Sequence, residues 1–417
     1  MVRFFLLATI FTVNILSSLG AWAVPASGGS VFLTQPDGFS FEAISRGDEY
    51  AHWMETVAGY SIVQVGDKWF YAELDIDEQL AATPYSVGSL TVSELAVFSP
   101  GLRPLPTEAR EVHTLRRISR GFLRAPVTQN VLVLLVNFSD STLTYTAADF
   151  EDLVFDADSS ASTSVKDFYS NNSYGNFTIT PATESQGTAN DGVIEVTLAS
   201  THPYDPIAAT MNANRAAMVP LALTAADASI DFSTYDTDLN GAVEADELSI
   251  ILILAGYEGS IGGAPTPNMW GVKSSITSVT HDTVTLSPYT TFGEIHHLGG
   301  DHIATLGIIC HELGHLMLGL PDLYDTDGSS EGIGDWGLMA GGSWNNTSVI
   351  GDSPSMLSAW SRSMVGFSTA TSLTASSTGT SILSAHSTSD IKELLIDKYN
   401  SPIGERFLVE NRQQLGY

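Results

Sequence analysis

The 417-residue chain carries 47 acidic against 17 basic residues, a formal charge of −30, which argues against binding a phosphate backbone, because that requires clustered Lys and Arg. A hydrophobic share of 43% excludes general disorder, and the length leaves room for about two or three domains with cores of their own. The charge fits a solvated acidic exterior or carboxylate-bound cations.

In chain order, Arg3 is followed by FFLLATIFTVNILSSLG and then AWA. A positive start, an apolar core and a small-x-small site make residues 1–23 a secretory signal peptide, cut most simply after Ala23. The chain is therefore expected to be secreted. No later run reaches the roughly 18 apolar residues of a spanning helix, so no membrane span is expected once the signal is removed. Residues 24 to 102 read as short strands and turns, with GDKWFYAEL and AGYSIVQVG hairpin-like. Arg103, Arg110, Arg116, Arg117, Arg120 and Arg124 then crowd together beside Pro104, Pro106 and Pro126. This is an exposed linker, either a processing site or a plain connector. It places a boundary between a β-rich segment of residues 24–125 and a second domain of residues 126–417.

VLVLLVNFSD opens that second domain as a strand. SVKDFYSNNSYGNF reads as helix then turn, VPLALTAADAS as a helix and ELSIILILAGY as a buried strand. Just before that strand, DTDLNGAVEADE fits the loop pattern D-x-[DN]-x-[DN]-G-x5-E at every fixed position. Asp236, Asp238 and Asn240 offer side-chain oxygens, Ala242 its carbonyl, and Glu244 and Glu247 carboxylates to a Ca2+ ion, with Gly241 allowing the turn. Because a strand follows rather than an exiting helix, the expectation is an isolated calcium loop that braces the domain; a plain polar turn is the alternative.

DHIATLGIICHELGHLMLGL is the strongest helix in the chain, with Asp301 available near its start. Positions i and i+4 share a helix face, so His311 and His315 can present two imidazoles to one zinc ion. Glu312 lies about 100° round, able to reach a metal-activated water as general base. Gly319 offers a reversal, Pro321 stops the helix, and Asp322 and Asp325 follow as candidate third ligands. Cys310, the only cysteine, excludes an intramolecular disulfide and reads as a small buried packing residue.

HELGHLMLGLPDLYD with GDWGLMAGGSW downstream resembles the immune-inhibitor-A-like secreted metallopeptidases, peptidase family M6, within the zincins. The resemblance implies an α+β zincin (metzincin-like) catalytic domain: a mixed sheet, an active-site helix and a methionine turn, preceded by a β-rich pro-segment. It implies zinc ligands at His311, His315 and Asp322, a catalytic base at Glu312, and Met339 as the turn methionine beneath the metal. Gly319 and Asp322 each come one residue later than in the family pattern, which keeps Asp325 as the alternative ligand. No tyrosine stands two residues after Met339; Tyr324, His296 and His297 are candidates for the missing oxyanion donor, the two histidines reading more simply as a polar loop. TQPDGFSFEAISRGDEYAHWMET resembles the family's propeptide start, SMLSAWSRSMVGF its helix after the methionine turn, and FLVENRQQLGY a later strand, after which the family usually continues.

The expected activity is that of a zinc metalloendopeptidase precursor acting on protein or peptide substrates, with latency supplied by Asp48, Glu49 or His52 over the zinc. A calcium-braced extracellular binding module with a vestigial zinc site, or a zinc amidase, are the rival readings. Oligomeric state is not encoded in any of these motifs.

Overall fold

The computed structural model describes residues 22–23, 25–48, 51–105, 128–156, 164–325, 330–373, 391–396 and 405–412. After a two-residue strand β1 (Trp22–Ala23), the chain forms a meander of β2 (Ser30–Thr34), β3 (Ser40–Gly47), β4 (His52–Thr56), β5 (Ser61–Val65), β6 (Lys68–Leu74) and β7 (Leu80–Ser86), paired antiparallel in that order. Its small core is Val31, Leu33, Ala43, Ile62, Tyr71 and Val87, and the short helix α1 (Val92–Leu95) follows it. The signal-peptide core and linker residues 106–127 lie outside the described residues.

The second part runs β8 (Thr128–Asn137), α2 (Ala147–Phe155), α3 (Val165–Asn172), β9 (Thr178–Pro181), β10 (Val193–Thr197), α4 (Ala208–Ala226), β11 (Ala242–Val243), β12 (Leu248–Glu258), β13 (Asn268–Met269), β14 (Val272–His281), β15 (Val284–His296), β16 (His302–Ile303), α5 (Leu306–Leu318) and α6 (Ala359–Met364). The strands make a mixed sheet along β1-β14-β15-β12-β8-β10. Within it β15, β12, β8 and β10 are parallel, whereas β14 runs antiparallel to β15 and carries β1 on its outer side. A third, small sheet joins β17 (Thr371–Leu373), β18 (Lys392–Ile396) and β19 (Glu405–Val409).

The near-continuous apolar runs of β8 and β12 follow from burial on both faces. Val131, Val133 and Leu135 pack toward α2, α3 and α5, while Leu132, Leu134 and Val136 pack with Met218, Val219 and Ala222 of α4. Each residue of α5 is buried, which explains why its sequence is apolar on most sides rather than on one stripe.

Two local expectations are corrected here. The helix does not begin near Asp301: residues 302–303 pair with β15 as β16, the Tyr257 hydroxyl donates to Asp301, and Thr305 is the N-terminal cap of α5. His296 is not in a polar loop either; it closes β15 and is fully buried, because Ile295 and His296 pair with Ile303 and His302.

Candidate metal centre and active site

Helix α5 brings the first functional side chains together by its own repeat. Residues 311 and 315 are one turn apart, and their Nε2 atoms lie 3.0 Å from each other. The helix ends because Gly319 adopts a left-handed conformation (φ 62°), and the Leu320 N–H then donates back to the Gly314 carbonyl, a Schellman-type closure. That reversal does two things. It returns the Leu320 carbonyl to within 2.5 Å of His315 Nδ1, and it swings Asp322 under the imidazoles, with Oδ1 at 3.0 Å from His311 Nε2 and 3.1 Å from His315 Nε2. The glycine and the aspartate come late because α5 runs on to Leu318.

The proton arrangement follows from the carbonyls. His311 Nδ1 faces the Leu338 carbonyl at 2.8 Å and His315 Nδ1 that of Leu320. A carbonyl only accepts, so both Nδ1 atoms carry the hydrogen and both Nε2 atoms are bare lone pairs. Two imidazole lone pairs and a carboxylate oxygen therefore converge at about 3 Å, a triangle with no hydrogen to hold it. Three acceptors placed this way suit a small cation: ligand atoms of a tetrahedral zinc at 2.0–2.1 Å stand about 3.3 Å apart. Burial pulls the His315 pKa down, partly offset by Asp322, which keeps the ring neutral. Burial alone would raise the Asp322 carboxyl, but the two imidazoles it faces outweigh that and hold the group at about 2, so it is ionised.

Glu312 follows His311 on the same helix and is fully buried. A carboxylate oxygen of Glu312 lies within 4.8 Å of a ring nitrogen of each histidine, and its Oε2 accepts the backbone N–H of Lys273 on β14 at 2.6 Å. Met339 is buried and packs on this helix: a Cβ built on Gly314 would sit 2.7 Å from its sulfur, so a larger residue there would force the Met339 side chain to move. The Leu323 N–H donates to the Met339 carbonyl, which ties the Asp322 loop to the same turn.

Asp325 accepts the N–H and hydroxyl of Ser330. Tyr324 and Asp325 line a cleft of about 1270 Å³, shared with Asp48, Arg103 and Trp344. Cys310 is buried, with its thiol pKa pushed up by burial. Asp48 accepts the Ala51 N–H, and His52 stacks on Trp270 at 4.6 Å; Glu49 lies outside the described residues. In the loop of residues 236–247, oxygens of Asp236, Asp238 and Glu247 lie within 4.8 Å of one another. Asn240 donates to Asp238 and Glu244, and Ala242 begins β11.

Four contributors carried no usable sequence signal. The carbonyls of Leu338 and Leu320 and the N–H of Lys273 are backbone groups, indifferent to side-chain identity. Tyr169, whose hydroxyl donates to the Cys310 carbonyl at 2.6 Å, lay inside a segment read only as helix.

A buried helix carrying two neutral imidazoles and a glutamate, closed by an aspartate from the following loop and laid against a mixed sheet, defines a metallohydrolase of the H-E-x-x-H type. The immune inhibitor A peptidase M6 catalytic domain matches residues 124–369, and the chain belongs to that family. It is a metallopeptidase by membership, and protein substrates and a metal come with that class. No curated protein and no solved structure matches the chain. Among the described residues no helix is long and apolar enough to cross a membrane.

Proposed function

We propose that the chain is the precursor of a secreted zinc-dependent endopeptidase, with His311, His315 and Asp322 as the zinc ligands and Glu312 as general base. The convergence of three hydrogen-free acceptors beside the Glu312 carboxylate carries this reading. Zinc, when bound there, acidifies water to a pKa of about 7 and polarises the scissile carbonyl. Glu312 takes the proton of the attacking water and delivers it to the leaving amine. The Lys273 N–H fixes which way that carboxylate faces, and Met339 supports the ligands by packing as the methionine turn of a zincin.

A substrate lies extended along the outer side of β14, adding a strand. The antiparallel pairing of Trp22 with Lys273 and Ala23 with Val272 supports this, since it fills that edge with extended chain. Pro25 follows that segment, its carbonyl accepting from Trp344 Nε1 at 2.9 Å, and Ser45, Arg46 and Trp53 of the N-terminal meander line the same cleft as Tyr324 and Asp325. Residues 24–125 are read as a pro-segment removed at the arginine-rich linker, with the Pro25 contact to Trp344 as its support; the residues paired with β14, Trp22 and Ala23, leave with the signal peptide and show only that this edge takes extended chain.

The test is cleavage of casein or a peptide library by processed protein, with and without chelator, beside Glu312→Ala. The variant should keep its metal and lose about a hundred- to ten-thousandfold in kcat, the span a positioned general base supplies. Full activity in Glu312→Ala defeats the mechanism, and a metal-loaded, inactive wild type favours a binding module.

The loop of Asp236, Asp238, Asn240, Ala242, Glu244 and Glu247 is proposed as a structural Ca2+ site. Its support is the full sequence pattern together with three carboxylates brought close. Calcium should raise the melting temperature of the whole protein, and Glu247→Gln should abolish that rise; an unchanged response leaves only a polar turn.

A further inference from the structure

Glu258 ends β12 and is completely buried. Its partners are a hydroxyl and three backbone N–H groups. Oε1 accepts Ser260 N (3.0 Å), Ser260 Oγ (2.6 Å) and Gly271 N (2.8 Å), and Oε2 accepts Gly293 N (3.1 Å). A carboxylate taken this far from water is tolerated only when its lone pairs are filled, and here they are filled by three separate pieces of chain.

The place matters more than the count. The β12–β15 register shifts between Leu254 and Tyr257, so the ladder opens at a bulge and the Gly293 N–H turns to Glu258. Gly271 is the residue just before β14. It lies so close to α5 that an added Cβ would sit 2.4 Å from Ile308 Cδ1. Two residues on, Lys273 donates its N–H to Glu312 at 2.6 Å. The same short extended run is thus tied at one end to Glu258 and at the other to the proposed base, with the active-site helix packed against it.

We infer that Glu258 is a positioning residue for peptide hydrolysis: it pins the start of β14 between β15 and α5, and so holds the Lys273 N–H on the Glu312 carboxylate. The inference rests on the assignment of Glu312 as base. Loss of the Glu258 clamp spares the bonds that set the triangle, since His311 and His315 rest on the Leu338 and Leu320 carbonyls and Asp322 faces both rings. It acts on the orientation of the base, where small misplacements are costly.

Glu258→Gln keeps the size of the side chain but replaces one acceptor oxygen by an NH2 group facing an N–H donor. In processed protein it should lower kcat about tenfold, shift KM less than about twofold, and leave one zinc per chain. Ser260→Ala, which removes a single donor, should lower kcat by about two- to threefold with the fold intact. Lys273→Pro deletes the N–H itself, so adding Glu258→Gln to it should cost little further. A folded, metal-loaded Glu258→Gln enzyme with wild-type kcat overturns the inference, as does multiplication of the two effects in the double variant. If Glu258→Gln does not fold, an unchanged kcat in Ser260→Ala overturns it instead. Activity surviving in Glu312→Ala is a separate result and removes the base assignment itself.

Discussion

The Nδ1 hydrogens of His311 and His315 are given to main-chain carbonyls, Leu338 on one side and Leu320 on the other. Such outer partners fix the tautomer and aim the remaining lone pair at the ion. Both carbonyls belong to turns that also position the third acceptor, since Leu320 precedes Asp322 by two residues and the Leu323 N–H bonds to Met339. Asp322→Ala should therefore lose metal by more than about tenfold in affinity. Asp325→Ala should retain it, because Asp325 is held by Ser330; metal content after dialysis against a weak chelator separates the two. The reverse order would move the third ligand to Asp325. Sequence spacing alone made the pairing of His311 with His315 legible, since helix geometry fixes i and i+4. It left the aspartate open because the choice is made by one left-handed glycine and a returning carbonyl, neither of which has a fixed offset.

At the scale of elements, α6 depends on chain far beyond it. Arg362 is almost completely buried, and its guanidinium reaches the Tyr174 hydroxyl (2.7 Å) and the Glu410 carboxylate. Glu410 also accepts the Ala359 N–H at the start of α6, and Arg412 bonds to the carbonyls of Trp336, Met356 and Leu357. The Leu338 N–H in turn donates to Met356, so the segment after β19 buttresses the turn whose Leu338 carbonyl holds His311. Glu410→Ala strands a buried cation, a change that costs about 3–5 kcal/mol, and urea unfolding should show it. A loss under about 1 kcal/mol would mean that Arg362 finds another acceptor. A chain ended at residue 369, where the family match stops, should be destabilised in the same way. The elements themselves were readable: apolar runs gave β8 and β12, and a long uninterrupted apolar stretch gave α5. What joins them was not readable, because a pair 48 residues apart leaves no periodic trace, and the start of α5 is set by pairing between β16 and β15.

For the whole molecule, the charge of −30 invites the expectation that mild acid stabilises the fold by relieving repulsion. Buried groups complicate this. Burial lowers the pKa of His52, His202, His296 and His297, and raises that of Glu258, to about 7, and of Glu294. The signs are opposite. A histidine whose folded pKa lies below its unfolded 6.5 contributes stability above pH 6.5 that is lost as the pH falls toward the folded value, because the unfolded chain binds the proton first. A glutamate raised to about 7 contributes stability below pH 4.5 that is lost as the pH rises through 7. The total slope near pH 6 therefore reports no single group, and a difference must be taken. His202 is the cleanest choice. It stacks edge-on to Phe138 and its pKa is pulled down to about 4 by burial, only partly offset by Asp140. It lies in the loop after β10. The stability of the wild type relative to His202→Phe should decline as the pH falls from 6.5 to 4, by at most about 3 kcal/mol, and stay flat above 7. Urea titrations of both proteins at pH 7.5, 6.0 and 5.0 measure it, and parallel curves across that range would show that His202 takes its proton as readily in the fold as outside it.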